Sequence, residues 1–146
     1  MIVTKRQASE ADREFVRAVH HRAYRDIIER QYGPWHEDEQ DRFFDAAWDA
    51  AAHDIILCDS IPCGYCRIEF SADHILVREL VIDVSFQGRG IGSRIMERVI
   101  SDAGVRRIPI RLQTQILNRA AELYRRLGFQ EYDRTNTHIL MEWRPA

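Results

Sequence analysis

The sharpest chemical feature of the sequence is Gln87-Gly88-Arg89-Gly90-Ile91-Gly92, with glycines at alternate positions between an apolar run and an amphipathic one. Glycines leave the main chain bare. Bare N–H groups at the start of a helix are unsatisfied donors at the positive end of its dipole. Such a loop holds anions, and Arg89 and Arg94 add charge-assisted donors. The ligand it points to carries phosphate. A P-loop would need G-x-x-x-x-G-K-[ST], and no lysine stands here. A dinucleotide fingerprint would need G-x-G-x-x-G, whereas this is G-x-G-x-G, late in a short chain. The remaining alternative is a glycine turn with no ligand.

Other residue types could also do chemistry. Glu79 lies inside an apolar strand-like run, where a carboxylate is costly unless paired or functional. It reads either as a base or as half of an ion pair with an arginine. Cys63-Gly64-Tyr65-Cys66 matches C-x-x-C, and His53 and Cys58 extend it to four possible zinc ligands. A redox C-x-x-C should open a helix, but this one runs into a strand, Arg67-Ile68-Glu69-Phe70. Structural zinc takes two close ligand doublets, and only one is present. Small apolar residues in a hairpin are the plainer reading of these cysteines. The six histidines show no H-E-x-x-H spacing, so no metal is expected.

These groups need elements to position them. Ile2 to Arg6 reads as a strand. Ser9, with Asp12 three residues on, is close to a capping box ahead of a helix. Phe15, Val19, Ala23 and Ile27 give that helix an apolar stripe, and Gly33-Pro34 breaks it. A second helix is expected over Glu37 to Ala51, with Phe43, Phe44, Ala47 and Trp48 inward. Strands follow at Asp54–Asp59 and Tyr65–Phe70, joined by Ser60-Ile61-Pro62, and then at Ile75–Val84, apolar on both faces. A helix from about Gly90 to Ala103 carries Ile91, Ile95, Val99 and Ala103, with Gly104 as its C-cap. Then come a strand at Ile108–Thr114, a short helix at Arg119–Leu127 capped by Asn118 and ended by Gly128, and strands at Phe129–Arg134 and His138–Trp143. Hairpins mixed with β-α-β crossovers imply an α+β domain: a mixed, mostly antiparallel twisted sheet of six to seven strands with about four helices. At this length one domain, 1–146, is expected.

The glycine loop does not stand alone. Gln87-x-x-Gly90-x-Gly92 resembles the Q/R-x-x-G-x-G/A pyrophosphate loop of the GNAT N-acetyltransferase superfamily. Leu80-Val81-Ile82-Asp83-Val84-Ser85-Phe86 is similar to that family's fourth strand and turn. Asn118-Arg119-Ala120-Ala121-Glu122-Leu123-Tyr124-Arg125-Arg126-Leu127-Gly128-Phe129 resembles its N-x-x-A-x-x-x-Y-x-x-x-G-F segment. The two motifs lie in the family's order, and the element order matches along the chain.

The resemblance implies acetyl-CoA as donor and no metal. Val81, Ile82 and Val84 would lie along the pantetheine arm. Main-chain N–H groups over Gln87, Gly88, Arg89, Gly90, Ile91, Gly92 and Ser93, with Arg94 beside them, would hold the pyrophosphate. Asn118 would contact the cofactor near its thiol end, and Tyr124 would be the general acid. Without the motif, Tyr124 reads as a core aromatic, because it shares a helical face with Ala120 and Leu127. Glu79 stands where some members place a base. The acceptor site would be walled by the first helices and their connection, which offer Tyr24, Tyr32 and Trp35 beside Glu37, Asp38 and Glu39. Aromatics beside carboxylates suit a cationic amine. The same acids also suit a first helical turn, and Trp35 suits a hydrophobic staple. An N-acetyltransferase acting on a primary amine, with a small-molecule acceptor ahead of a protein N-terminus or lysine, is the expected function. A silent CoA-binding module is the rival. A homodimer is expected by analogy only.

Composition narrows the partners. Twenty-one basic and 23 acidic residues give a net charge of −2, and Lys5 is the only lysine. Nucleic-acid-binding domains carry pI values above about 9 or a clustered basic face, so no nucleic-acid partner is expected. No apolar run reaches the roughly 18 residues of a membrane span. The N-terminus lacks an apolar h-region, so the expected compartment is the cytoplasm.

Overall fold

A computed structural model describes all residues, 1–146. The strands are β1 (Val3–Gln7), β2 (Asp54–Cys58), β3 (Ile61–Phe70), β4 (Ile75–Ile82), β5 (Ile110–Gln115), β6 (Gln130–Arg134) and β7 (His138–Trp143). The helices are α1 (Arg13–Tyr32), α2 (Glu37–Ala47), α3 (Ile91–Arg106) and α4 (Ala120–Arg126). The seven strands form one sheet in the order β1-β2-β3-β4-β5-β7-β6. β4 runs parallel to β5, while β1–β2, β2–β3, β5–β7 and β6–β7 are antiparallel. The expected mixed α+β sheet with four helices is therefore the observed one. No helix is long and apolar enough to cross a membrane.

The chain divides into two compact units, Met1–Arg67 with Glu79–Ile91, and Ile68–Arg78 with Gly92–Ala146. In the first, Val16 and Val19 of α1 and Phe44 of α2 join Ala8, Ile55, Tyr65 and Val81 in one apolar cluster, with Phe15, Ala23, Tyr24 and Trp48 at its edge. Of the expected α1 stripe, Val19 is buried and Phe15 and Ala23 pack at the cluster's edge, while Val16, outside that stripe, joins the core. The capping box forms: the Ser9 N–H donates to the Asp12 carboxylate at 2.9 Å. α1 ends at Gly33, at φ 103°.

Tertiary packing redraws three boundaries in this unit. α2 stops at Ala47 rather than Ala51. Trp48 turns extended so that its ring packs 5.8 Å from Phe44 and 5.0 Å from His53, and this outweighs the helix preference of the alanine run. Phe43, expected inward, is exposed. The β2–β3 hairpin turns at Asp59 and Ser60, both at positive φ, so Ile61 and Pro62 already belong to β3. β4 ends at Ile82, and Val84–Phe86 forms a 3-10 turn instead of the last strand residues.

In the second unit, Ile91 apart, α3 buries Ile95, Met96, Val99 and Ala103, and β4, β5 and β7 bury Ile75, Val77, Ile110, Leu112, Ile139 and Met141. Gly104 is not the C-cap of α3. The helix runs on to Arg106, and Arg107 takes the left-handed conformation at φ 57°. The Ile108 N–H then donates to the Ala103 carbonyl at 3.1 Å and the Arg107 N–H to that of Gly104 at 3.3 Å, a Schellman closure that tucks Ile108 inward. Gly128, at φ 100°, ends α4 as expected.

The C-x-x-C segment lies within β3. The pairing with β2 skips Cys63 at a bulge. All three cysteines are buried and unpaired. Burial pushes the Cys63 thiol up to about 11 and that of Cys66 to about 12, the reverse of a reactive thiolate. The glycine between them is the constrained residue. A Cβ on Gly64 would stand 2.3 Å from the Val81 carbonyl oxygen of β4. Gly64→Ala is therefore expected to lower stability by about 3 kcal/mol, as overpacking against main chain does; urea unfolding measures it, and a change under 1 kcal/mol would contradict the close approach.

Candidate active site

The register of β4 decides where Glu79 lies. Ile75, Val77, Glu79 and Val81 share one side of the strand, by the twofold alternation of side chains. Glu79 is thereby drawn into an apolar layer. Its carboxylate finds one partner there, the Tyr65 hydroxyl of β3, which donates to Oε2 at 2.8 Å. Burial raises the Glu79 pKa, while the Tyr65 hydrogen bond and the nearby His53 and Arg67 pull it the other way. Tyr65 is fully buried, and burial followed by the Glu79 charge lifts its phenol well above the ordinary range. Glu79 thus has a tyrosine hydroxyl on it rather than the arginine ion pair the sequence left open. No local pattern marks Tyr65, since residues on separate strands meet only through register.

After Ile82 the chain leaves the sheet. Asp83 accepts the Val84 N–H at 2.9 Å and opens the 3-10 turn. The Gln87 side chain donates to the Ile82 carbonyl at 2.9 Å, so it fastens the loop to the strand end. Arg89 donates to the Ser85 carbonyl at 3.2 Å and lies over the Phe86 ring at 5.0 Å. Gly88 and Gly90 sit at φ 78° and 79°, and a Cβ on either would meet nothing within 4 Å. Backbone conformation, not space, demands glycine there. Gln87 to Gly90 are exposed, and Ile91 is buried as the first residue of α3. Gly92 and Ser93 are half-buried and Arg94 is exposed. Val84, expected as a strand residue, is an exposed turn residue whose N–H is already bonded.

The acceptor candidates fall on α1 and the α1–α2 connection. Tyr24 packs at the edge of the core, 4.8 Å from the His20 ring. Trp35 lies 5.1 Å from His21 and donates to Glu37 at 2.6 Å. Tyr32 is exposed and accepts from Gln31. His20 and His21, adjacent in sequence, link the Tyr24 and Trp35 contacts through an Nδ1–Nδ1 hydrogen bond of 3.0 Å. Burial, then His21, lowers His20 to about 4, so it is neutral at pH 7. His21, Glu37 and Asp41 bring ligand-type atoms within 4.8 Å of one another, a grouping that no short motif announced. Arg17 fills the charge role there, 3.0 Å from Asp41 and 3.7 Å from Glu37, while His21 donates to Asp41 at 2.7 Å.

In the second unit Tyr124 is buried on α4, 5.6 Å from Phe129. Burial is the one cause that pushes its phenol up to about 12. The Asn118 side chain accepts the Ala120 N–H at 2.9 Å and so caps α4, as expected. A hollow of about 210 Å³ in this unit is lined by Leu76, Arg78, Arg111, Gln113, Tyr132 and Leu140 among others, none of them a candidate residue.

Comparison with known proteins assigns the class. A family model described as an acetyltransferase (GNAT) domain matches residues 46–131. That is more than half of the chain, from the end of α2 into β6, and the chain belongs to the GNAT acetyltransferase family. It is therefore an acetyl-CoA-dependent acyltransferase. Solved structures share the fold at low identity. The PaiA N-acetyltransferase of Thermoplasma acidophilum, in complex with coenzyme A, has a TM-score of 0.76 at 16% identity and covers 99% of both chains. The ribosomal-protein-S18-alanine N-acetyltransferase of Escherichia coli gives 0.62 at 19%, covering 99% of this chain and 95% of that one. Arabidopsis thaliana Naa50, in complex with the bisubstrate analogue CoA-Ac-MVNAL, gives 0.65 at 15%, covering 98% and 99%. No curated protein matches the chain by sequence.

The Tyr65–Glu79 bond makes a direct prediction. Tyr65→Phe removes the donor that favours the carboxylate, so the Glu79 carboxyl should titrate at higher pH than in the wild type. A 13C-detected NMR titration of the glutamate carboxyls reads this, and an unmoved or lowered value would contradict it.

Proposed function

We propose that the chain transfers the acetyl group of acetyl-CoA to the primary amine of a small molecule by direct attack on the thioester. The observation that carries this reading is the loop between β4 and α3, where two left-handed glycines and an exposed main chain lead into a helix N-terminus. The N–H groups from Gln87 to Ser93, with Arg94 beside them, would hold the diphosphate. Val81, Ile82 and Val84 would lie along the pantetheine arm, and Asn118 would reach toward the thiol end. The coenzyme supplies the activated acetyl group.

The chain's own residues then have separable tasks. An alkylammonium must lose a proton before it can attack. Glu79, with its pKa raised by burial and held by Tyr65, is the proposed base, directly or through water. Attack places negative charge on the thioester oxygen. A main-chain N–H near Val81 would stabilise it. The departing thiolate takes a proton from Tyr124. Burial keeps that phenol protonated at neutral pH, and the same desolvation raises the proton affinity of the thiolate beside it. Tyr24, Tyr32 and Trp35 are the proposed acceptor contacts. The whole chain, 1–146, would act as one domain.

Protein acceptors are the second reading. The Escherichia coli and Arabidopsis neighbours act on, or are bound to an analogue of, protein and peptide substrates. A thiol-release assay with acetyl-CoA over small amines and over peptides with free N-termini separates the two. Stabilisation by CoA with no thiol release on any acceptor would instead indicate a silent binding module.

Two variants test the site. Gly90→Asp and Gly92→Asp put a carboxylate against the phosphates, so the thermal stabilisation that CoA gives the wild type should vanish; retained stabilisation in both would defeat the loop assignment. Tyr124→Phe should lower kcat by about 100-fold while CoA affinity stays within about threefold. Unchanged turnover would return Tyr124 to a packing role.

A further inference from the structure

We propose that Arg22 and Asp83 form a charge-neutral brace that sets the phosphate loop, with Arg22 acting as a positioning residue for coenzyme binding; this rests on the reading of that loop as the diphosphate site. Arg22, on α1, donates from Nε to Asp83 Oδ1 and from Nη2 to Oδ2, both at 3.0 Å, a planar fork on a fork. Asp83 is the residue at which β4 gives way to the loop. Each of its polar groups is committed. Its N–H donates to the Cys63 carbonyl of β3 at 2.8 Å, and its carbonyl accepts the Phe86 N–H at 2.8 Å. Its carboxylate takes both Arg22 and the Val84 N–H. One buried residue therefore ties α1 and the 3-10 turn through its side chain and β3 through its main chain, and Phe86 in that turn carries Arg89.

The charge has a second consequence. A buried carboxylate just upstream of a diphosphate site repels the ligand, because water no longer screens it well. Arg22 cancels that charge. Its side chain is 49% exposed and that of Asp83 12%, so the arginine is the removable partner and the carboxylate the one left stranded. Neutralisation predicts an order of effects that simple scaffolding does not. Removing Arg22 alone should hurt coenzyme binding more than removing both charges.

The test is the Kd for CoA, by titration calorimetry, of the wild type, Arg22→Gln, Asp83→Asn and the double variant, each with its ligand-free thermal midpoint. Arg22→Gln should weaken CoA binding about tenfold or more at low salt, and the loss should shrink as ionic strength rises. Asp83→Asn should cost less than about threefold, and the double variant should bind more tightly than Arg22→Gln. In turnover, Arg22→Gln should raise KM for acetyl-CoA with kcat little changed at saturation. Arg22→Lys, which keeps the charge and loses the fork, covers the case in which Arg22→Gln does not fold; it should stay within about threefold of the wild type. A lower midpoint with unchanged CoA affinity, or a double variant as weak as Arg22→Gln, would overturn the brace. If Gly90→Asp abolishes CoA binding while Arg22→Gln keeps it, the brace alone falls. If Gly90→Asp binds CoA normally, the loop reading falls and the brace with it.

Discussion

The site depends on a main chain that runs out of partners. Up to Ile82 the backbone of β4 belongs to a sheet; from Ile91 it belongs to a helix whose first N–H groups have no acceptor behind them. Between the two, side chains replace the missing ladder. The Asp83 carboxylate takes the Val84 N–H, and the Gln87 amide takes the Ile82 carbonyl. Gly88 and Gly90 supply the left-handed turns that no β-carbon hinders. The loop is thus held at both ends by its own side chains and by backbone turns that only glycine adopts freely.

Burial governs the titrating groups in each of the two units. Glu79 enters an apolar layer only because it shares the parity of Val77 and Val81, and one tyrosine hydroxyl offsets part of the cost. Tyr65 and Tyr124 are each held as neutral phenols by the same desolvation. The two tyrosines differ in what acts on them. Tyr65 is committed to Glu79, whereas burial alone acts on Tyr124. A committed hydroxyl tunes its neighbour.

Much of the fold was legible because period and punctuation are local. Gly33-Pro34, Asn118 and Gly128 end or cap helices where expected. The misplaced boundaries share a different cause. Trp48 leaves its helix to cover Phe44 and His53, and Arg107 accepts a left-handed backbone so that Ile108 can be buried. In each case an apolar contact made in three dimensions outweighs a preference of the local sequence. The C-x-x-C pattern misled for a related reason. Its spacing serves a redox pair at a helix start, but here it lies inside a strand, and the residue under constraint is the glycine between the cysteines.

By itself the sequence determined the glycine loop, the order of elements and the family, because glycine spacing and hydrophobic period act within a few residues along the chain. Only the tertiary structure decided which side chains answer Glu79 and Asp83. Tyr65 is 14 residues from the first, and Arg22 is 61 residues from the second. Strand register and the seat of α1 bring them within hydrogen-bond reach. Neither is written in any local pattern, since each is the outcome of burying the whole apolar layer at once.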